Sequence, residues 1–401
     1  MMLLRPMHSS SFLSRSSLTR VLRSLLEAEC RKLRGEDTFI ADAWSESMSL
    51  GSSGLGCDSL DLWRLAAAAN EMFHLYEAGL ENDLPTAGTF GAWLDVIERS
   101  WSEGFQHVTF ATSGSTGRPK RCSHSRAFLE TEVEALVERW RDRRRIVAVV
   151  PAHHIYGFLF TAMLPDALEV PCVEAEHLGI GELRATLRPG DLVVSFPERW
   201  AYLDRSLPAW PEDVEGVVST APCPVATLSS LAERGLSRMT EVYGSSETAG
   251  ISWRDAPGAC YRLMPQWQFD QPYDAAVPTM VHRDGSRHVL MDRVTRVDDR
   301  GLALDGRRDG MVQIGGVNVA PDAVAQRLRE RPGVRWAVVR LMRPEEGMRL
   351  KALLGIDPNG DAAAIKVEVE RWVSAHLTSP ERPVKIALSP SEVQPAKNVD
   401  W

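Results

Sequence analysis

After residue 105 the chain alternates short β-rich runs with amphipathic stretches: HVTFAT at 107–112, SRAFLETEVEALVERW at 125–140, RRIVAVVP at 144–151, DLVVSFP at 191–197, GVVSTAP at 216–222 and MTEVYG at 239–244. Strand-like runs separated by helix-period segments specify a largely parallel sheet covered by helices. In 125–140, Phe128, Leu129, Val133, Leu136, Val137 and Trp140 fall on one helical stripe, with Glu130, Glu134 and Glu138 opposite. Before this region, 60–75 and 88–100 carry apolar residues at helical spacing (Leu60, Leu62, Leu65, Ala69, Met72), so the first hundred residues read as a helical scaffold. Between 255 and 300, Pro-, Gln- and Asp-rich text with RHVLMD and a DDRG turn predicts hairpins and a β-rich subdomain. From 310 the pattern becomes strand, helix, strand, then LKALLGI and a helix over 362–376. The expected fold class is α/β, with a large N-terminal domain over 1–308 and a small α+β domain over 309–401.

Composition narrows the function. The 401 residues hold 46 Lys+Arg and 54 Asp+Glu, a net charge of −8, which argues against a nucleic-acid partner because counterion release needs clustered positive charge. The six cysteines (Cys30, Cys57, Cys122, Cys172, Cys223, Cys260) have no C-x-x-C pairing, so neither a zinc site nor a disulfide framework is indicated and buried thiols in the cytoplasm are expected. No apolar run approaches the roughly eighteen residues of a membrane span. Residues 1–26 contain arginines and serines and no acid; that composition suits a transit peptide, but a basic amphipathic first helix or an upstream start at Met1 is the better reading.

The stretch TSGSTGRPK follows the strand-like HVTFA directly. Thr112, Ser113, Ser115 and Thr116 supply hydroxyls, Gly114 and Gly117 let backbone N–H groups approach an anion, and Lys120 supplies a positive charge. Such a loop suits phosphates, yet its spacing departs from the Walker pattern G-x-x-x-x-G-K-[ST]. It resembles the phosphate loop of the adenylate-forming superfamily of acyl- and aryl-CoA synthetases, peptide-synthetase adenylation domains and luciferases. Further segments match that family in order. PAHHIYGF resembles its P-x-x-H-x-x-G element, placing His154 beside the acyl pocket with Tyr156 and Gly157 as neighbours. TAPCP, beginning Thr220, Ala221, Pro222, resembles the turn against adenine. VYGSSET resembles Y-G-x-[ST]-E, which implies Tyr243 beside adenine, Ser246 at the α-phosphate and Glu247 on Mg²⁺, with Gly244 and Ser245 also at the ATP site.

By the same resemblance Asp292 and Arg307 hold the ribose, Asp309 is the hinge, Gly315 and Gly316 line the thiol tunnel, and Lys397, preceded by Ala396 in QPAKNVDW, is the catalytic lysine. The family implies ATP and Mg²⁺ as reactants, with 309–401 a mobile lid that closes in two ways. A small-molecule carboxylic acid becomes an acyl-adenylate and is then passed to a pantetheine thiol. His154, Tyr156, Phe158 and Trp253 or Trp267 suggest a flat pocket for a hydroxybenzoate- or cinnamate-like acid. The compact build resembles the hydroxybenzoate ligases of aryl-polyene and xanthomonadin pigment pathways, and seven arginines over 327–349 could dock an acidic acyl carrier protein. A CoA ligase of the same fold and a non-catalytic nucleotide-binding relative are the other readings.

Overall fold

DLVVS, the fifth strand, is buried along its whole length, as expected of a strand covered on both faces. The computed structural model describes residues 12–34, 44–112, 120–255, 259–308, 310–314, 317–343, 346–358, 360–390 and 393. It divides into two compact units: Met1–Thr112, Lys120–Gln268 and Val281–Ser286 in the first, and Ser113–Pro119, Phe269–Met280 and Arg287–Trp401 in the second.

The first unit opens with helices α1 (Arg15–Arg34), α2 (Ser59–Phe73) and α3 (Phe90–Ser102). Strands β1 (His107–Thr112) and β2 (Lys120–Ser125) pair antiparallel, with Thr112 opposite Lys120. Helix α4 (Arg126–Trp140) follows, then β3 (Arg145–Ala148), α5 (Ile155–Phe158), α6 (Leu164–Leu168), β4 (Cys172–Glu174), α7 (Ile180–Thr186), β5 (Asp191–Ser195), α8 (Pro197–Ser206), β6 (Glu215–Val218), α9 (Val225–Glu233), β7 (Arg238–Ser245), β8 (Ala249–Arg254) and β9 (Tyr261–Leu263). The strands line up as β9-β8-β7-β6-β5-β3-β4, parallel from β4 through β7 and antiparallel from β7 to β9. Strand β3 has β4 on one side and β5 on the other, a reversal of strand order that opens a crevice at the carboxyl ends of the strands.

Leu183, Trp200, Leu203, Leu228 and Leu231 of α7, α8 and α9 pack with Val147, Val193 and Val218 of the sheet. Each side chain of this size fully buried contributes about 1.5–3 kcal/mol. Leu129, Val133, Leu136 and Trp140 of α4 are buried as the stripe predicts. Two expectations change. HVTFAT forms a separate hairpin with β2 rather than a strand of the parallel sheet, because KRCSHS across the loop supplies its backbone partners. Leu60 is exposed, since the buried face of α2 is Leu65, Ala66, Ala69, Met72 and Phe73.

Short strands β10 (Trp267–Phe269), β11 (Thr279–His282) and β12 (Arg287–Val289) come next in the chain. In the second unit, β13 (Asp292–Arg296) and β14 (Gly301–Arg307) form the hairpin expected at DDRG, and β15 (Val312–Ile314) pairs with β16 (Val317–Val319). Helix α10 (Pro321–Arg329) and helix α11 (Ala362–His376) cover a sheet of β17 (Val334–Leu341), β18 (Leu350–Ile356) and β19 (Lys385–Ser389). Their shared core includes Val324, Leu328, Val339, Leu350, Leu354, Val369 and Val373. The architecture is the expected mixed α/β class. All six cysteines are free, and Cys30, Cys57, Cys122 and Cys223 are buried. Among the described residues no helix is long and apolar enough to cross a membrane.

Candidate active site

The β1–β2 hairpin and the turn between β7 and β8 bring two separated sequence motifs together. Lys120 Nζ donates to Glu247 Oε1 at 2.5 Å across 127 residues of sequence. Burial tends to raise the Glu247 pKa, but hydrogen bonds from Lys120 and Ser245 prevail and hold it below the ordinary carboxylate value. The carboxylate is therefore ionised near neutrality, the state a hard cation requires. Its turn is tightly bonded: the Glu247 N–H donates to Ser245 Oγ at 3.3 Å and the Ser245 N–H to Thr248 Oγ1 at 3.1 Å. Gly244 is required here, because a Cβ would lie 2.0 Å from the Ala249 carbonyl oxygen.

His124 is a residue that motif reading missed. Buried on β2, its Nε2 donates to the Ser246 carbonyl at 2.7 Å, and its ring stacks on Phe128 at 5.1 Å. It ties β2 to Ser246, the serine expected at the α-phosphate. Only its register, one residue from the end of β2, brings it there.

The carboxyl ends of β6 and β7 are adjacent, so the Thr220–Pro222 turn lies beside the Tyr243–Ser245 segment, and Ser219 Oγ donates to the Val242 carbonyl at 2.9 Å. Thr220 has φ 78°, a left-handed backbone that a β-branched residue rarely adopts. Its Oγ1 is buried with no hydrogen-bond partner among the described residues. A strained residue with an unsatisfied hydroxyl at a strand terminus suits a ligand-facing position.

His154 lies at the strand-order reversal, just after β3, where it precedes α5. Its ring is 4.2 Å from that of His153. His153 Nδ1 bonds Ser24 Oγ of α1 at 2.8 Å, and the Ala152 N–H donates to the same oxygen at 3.1 Å. The scaffold helix thus holds the P-x-x-H segment directly. His154 is open to solvent but ringed by protein, and that desolvation, with nearby Lys32 adding repulsion, lowers its pKa to about 4. It is neutral near pH 7, a polar wall rather than a cation. Gly157 lets α5 close on the loop, since a Cβ would meet the Pro151 oxygen at 2.0 Å.

The expected aromatic pocket needs correction. Phe158 and Trp267 are buried in the core, Trp267 donating to the Gly250 carbonyl at 2.7 Å. Tyr156 is buried as well, its hydroxyl donating to the Ser195 and Val217 carbonyls at 3.1 and 3.0 Å. Trp253 packs on Trp140, with Arg139 over its ring at 4.7 Å. Of the five side chains, His154 alone is exposed.

In the second unit, Asp292 and Arg307 face each other as register partners of the β13–β14 hairpin. The arginines over 327–349 have partners of their own: Arg327 and Arg331 lie over the Trp372 ring at 5.3 and 4.4 Å, Arg335 meets Asp357 at 3.3 Å and Arg340 meets Glu346 at 3.4 Å. Ser113, Gly114, Ser115, Thr116, Gly117, Asp309, Gly315, Gly316 and Lys397 lie outside the described residues, as does the side chain of Thr112.

The AMP-binding enzyme family profile matches residues 108–280. The chain is 35% identical over 382 residues to a 4-coumarate-CoA ligase of Halorhodospira halophila, covering 94% of this chain and 96% of that protein. It is 34% identical over 367 residues to a 4-coumarate-CoA ligase of Cereibacter sphaeroides, covering 89% and 86%. In fold it is similar to a double mutant of o-succinylbenzoate CoA synthetase from Bacillus subtilis, with TM-score 0.59 at 14% identity over 96% of this chain and 91% of that one. It is also similar to the amide bond synthetase of Marinactinospora thermotolerans, with TM-score 0.57 at 17% identity over 94% and 90%. With the β1–β2 hairpin joined to the Y-G-S-S-E turn through Lys120 and Glu247, and with relatives matched over nearly their whole length, the chain belongs to the AMP-binding enzyme family, the adenylate-forming ligases.

Proposed function

We propose that this protein activates a hydroxycinnamate- or hydroxybenzoate-like acid with ATP and transfers the acyl group to the thiol of CoA. The observation that carries this reading is the Lys120–Glu247 contact, which brings a phosphate-loop cation and an ionised carboxylate to one place. The names of the curated relatives favour an aryl acid and CoA.

In this reading the 112–117 loop and Lys120 hold the phosphates, Tyr243 and Thr220–Pro222 flank adenine, Ser246 bonds the α-phosphate, and Asp292 and Arg307 hold the ribose. The donor set fits: Glu247 is ionised and the Thr220 hydroxyl has no partner among the described residues. Glu247 would hold Mg²⁺, which supplies charge neutralisation on the phosphates. A carboxylate oxygen of the acid bonds to the α-phosphorus as the bond to pyrophosphate breaks, and Lys397 neutralises the charge that develops. Residues 309–401 then reorient about Asp309, so that Gly315 and Gly316 replace Lys397. The thiol sulfur bonds to the acyl carbon, AMP leaves with the electron pair of the broken C–O bond, and the thiol proton passes to solvent. Neutral His154 forms a polar wall of the acid site.

Loading of an acyl carrier protein with hydroxybenzoate for pigment assembly is the alternative acceptor chemistry. The test supplies ATP, Mg²⁺ and 4-coumarate or 4-hydroxybenzoate, with either CoA or a holo carrier protein, and detects the thioester by mass spectrometry. The CoA thioester is expected. A thioester on the carrier alone would overturn the CoA assignment, and none on either would overturn the ligase reading.

A further inference from the structure

At the end of the β1–β2 hairpin away from the phosphate loop, three side chains with metal-ligating atoms converge. His74 follows α2 in a left-handed conformation at φ 47°, Glu77 lies in the short 3-10 turn Leu75–Ala78, and His107 opens β1. Glu77 Oε1 stands 3.2 Å from His74 Nδ1 and 2.7 Å from His107 Nδ1, and all three atoms lie within 4.8 Å of one another. Ligand atoms about 2.0–2.1 Å from a tetrahedral zinc stand roughly 3.3 Å apart, so small side-chain shifts bring this triad to coordination spacing.

The surrounding contacts aim these atoms. His74 Nε2 is 2.6 Å from Thr109 Oγ1; with the proton on Nε2, Nδ1 is an acceptor that takes the Tyr76 hydroxyl proton and that a metal ion can take in its place. Tyr76 Oη lies 2.6 Å from the same Nδ1. The Gln106 N–H donates to Glu77 Oε2 at 2.9 Å, leaving Oε1 toward the histidines. The His107 side chain is 43% exposed, which leaves an approach from solvent.

We propose that His74, Glu77 and His107 form a binding site for a divalent transition-metal ion of the zinc class, with water or the Tyr76 hydroxyl completing the coordination. Two imidazoles and one carboxylate select such an ion over Mg²⁺ or Ca²⁺, which prefer all-oxygen sites. The site lies apart from Glu247: His107 pairs with Ser125, whereas Thr112, five residues on, pairs with Lys120 at the loop end. Five residues of strand span about 17 Å. A bound ion would clamp the end of α2 to the base of the strand that leads into the phosphate loop. C-x-x-C arithmetic could not find it, because the ligands are histidines and a carboxylate joined only by folding.

The test uses the full chain stripped with chelator. Zn²⁺ is then added, excess is dialysed away and bound metal is counted by mass spectrometry; Co²⁺ gives the parallel optical readout. One equivalent of Zn²⁺, the visible bands of four-coordinate Co²⁺ and a Zn²⁺-dependent rise in Tm are expected. His107→Gln and, independently, Glu77→Gln should abolish all three, Thr109→Val should weaken binding by about 10–100-fold, and His376→Gln should change nothing. His107 is partly exposed, so its variant tests binding without emptying a core position. Absence of bound metal, with the three residues sharing only protons, would overturn the proposal, as would binding that survives in both ligand variants.

Discussion

Glu132 is buried on the apolar side of α4, where its carboxyl accepts the Gly250 N–H at 2.9 Å and desolvation raises its pKa to about 8. The folded protein holds this proton while the unfolded chain releases it above the ordinary glutamate value of 4.5. The stability associated with it is full below that value and is lost as pH rises through the folded value, at about 1.4 kcal/mol per pH unit within the window. Glu132→Gln keeps the acceptor and replaces O–H by N–H. Relative to the parent, its stability in urea should increase steadily from about pH 5 to about pH 8; parallel curves would refute the buried neutral acid. At Thr220, replacement by Gly removes left-handed strain and an unsatisfied hydroxyl. It should raise stability by about 1 kcal/mol while weakening ATP binding, as read by thermal denaturation and calorimetry. Glu132 and Thr220 differ in legibility. Thr220 was visible through its motif, whereas Glu132 was not, because its environment is set by Gly250, 118 residues away.

The β1–β2 hairpin and the β7–β8 turn are the elements that assemble the candidate phosphate site. Their joint, Lys120 with Glu247, has side chains 59% and 41% exposed, so it contributes about 0–1 kcal/mol to stability. Its value lies in chemistry. Glu247→Gln should leave Tm nearly unchanged and slow adenylate formation by about 10²-fold or more, measured as pyrophosphate release. A matching loss of stability would make the contact structural instead. Helices such as α4 and α11 were readable because each carries its own period, and their observed bounds match the segments expected at 125–140 and 362–376. Placement of β1 was not, because HVTFAT has the same texture whether it enters the parallel sheet or pairs with KRCSHS. Aromatic residues near the P-x-x-H segment misled for a similar reason. Tyr156, Phe158 and Trp267 are core residues whose burial depends on what packs over them.

Across the whole molecule, the chain order of motifs carried the family, and the α/β architecture followed from the strand–helix alternation. What the alternation could not show was how α1, far from any motif, supports the His153–His154 segment through Ser24. The two-step use of the C-terminal region proposed above makes a specific prediction. Lys397→Ala should lose adenylation by about 10²-fold or more yet still convert a supplied acyl-adenylate to its thioester. Equal loss of both half-reactions would contradict separate roles for Lys397 and the Gly315–Gly316 segment. The central claim, that this protein makes an adenylate from an aryl acid, is tested most directly by ATP–pyrophosphate exchange with Mg²⁺ across hydroxycinnamates, hydroxybenzoates and fatty acids. Exchange that depends on an aryl acid, with 4-coumarate among the best substrates, is the predicted result; binding of ATP with no exchange for any acid would contradict it.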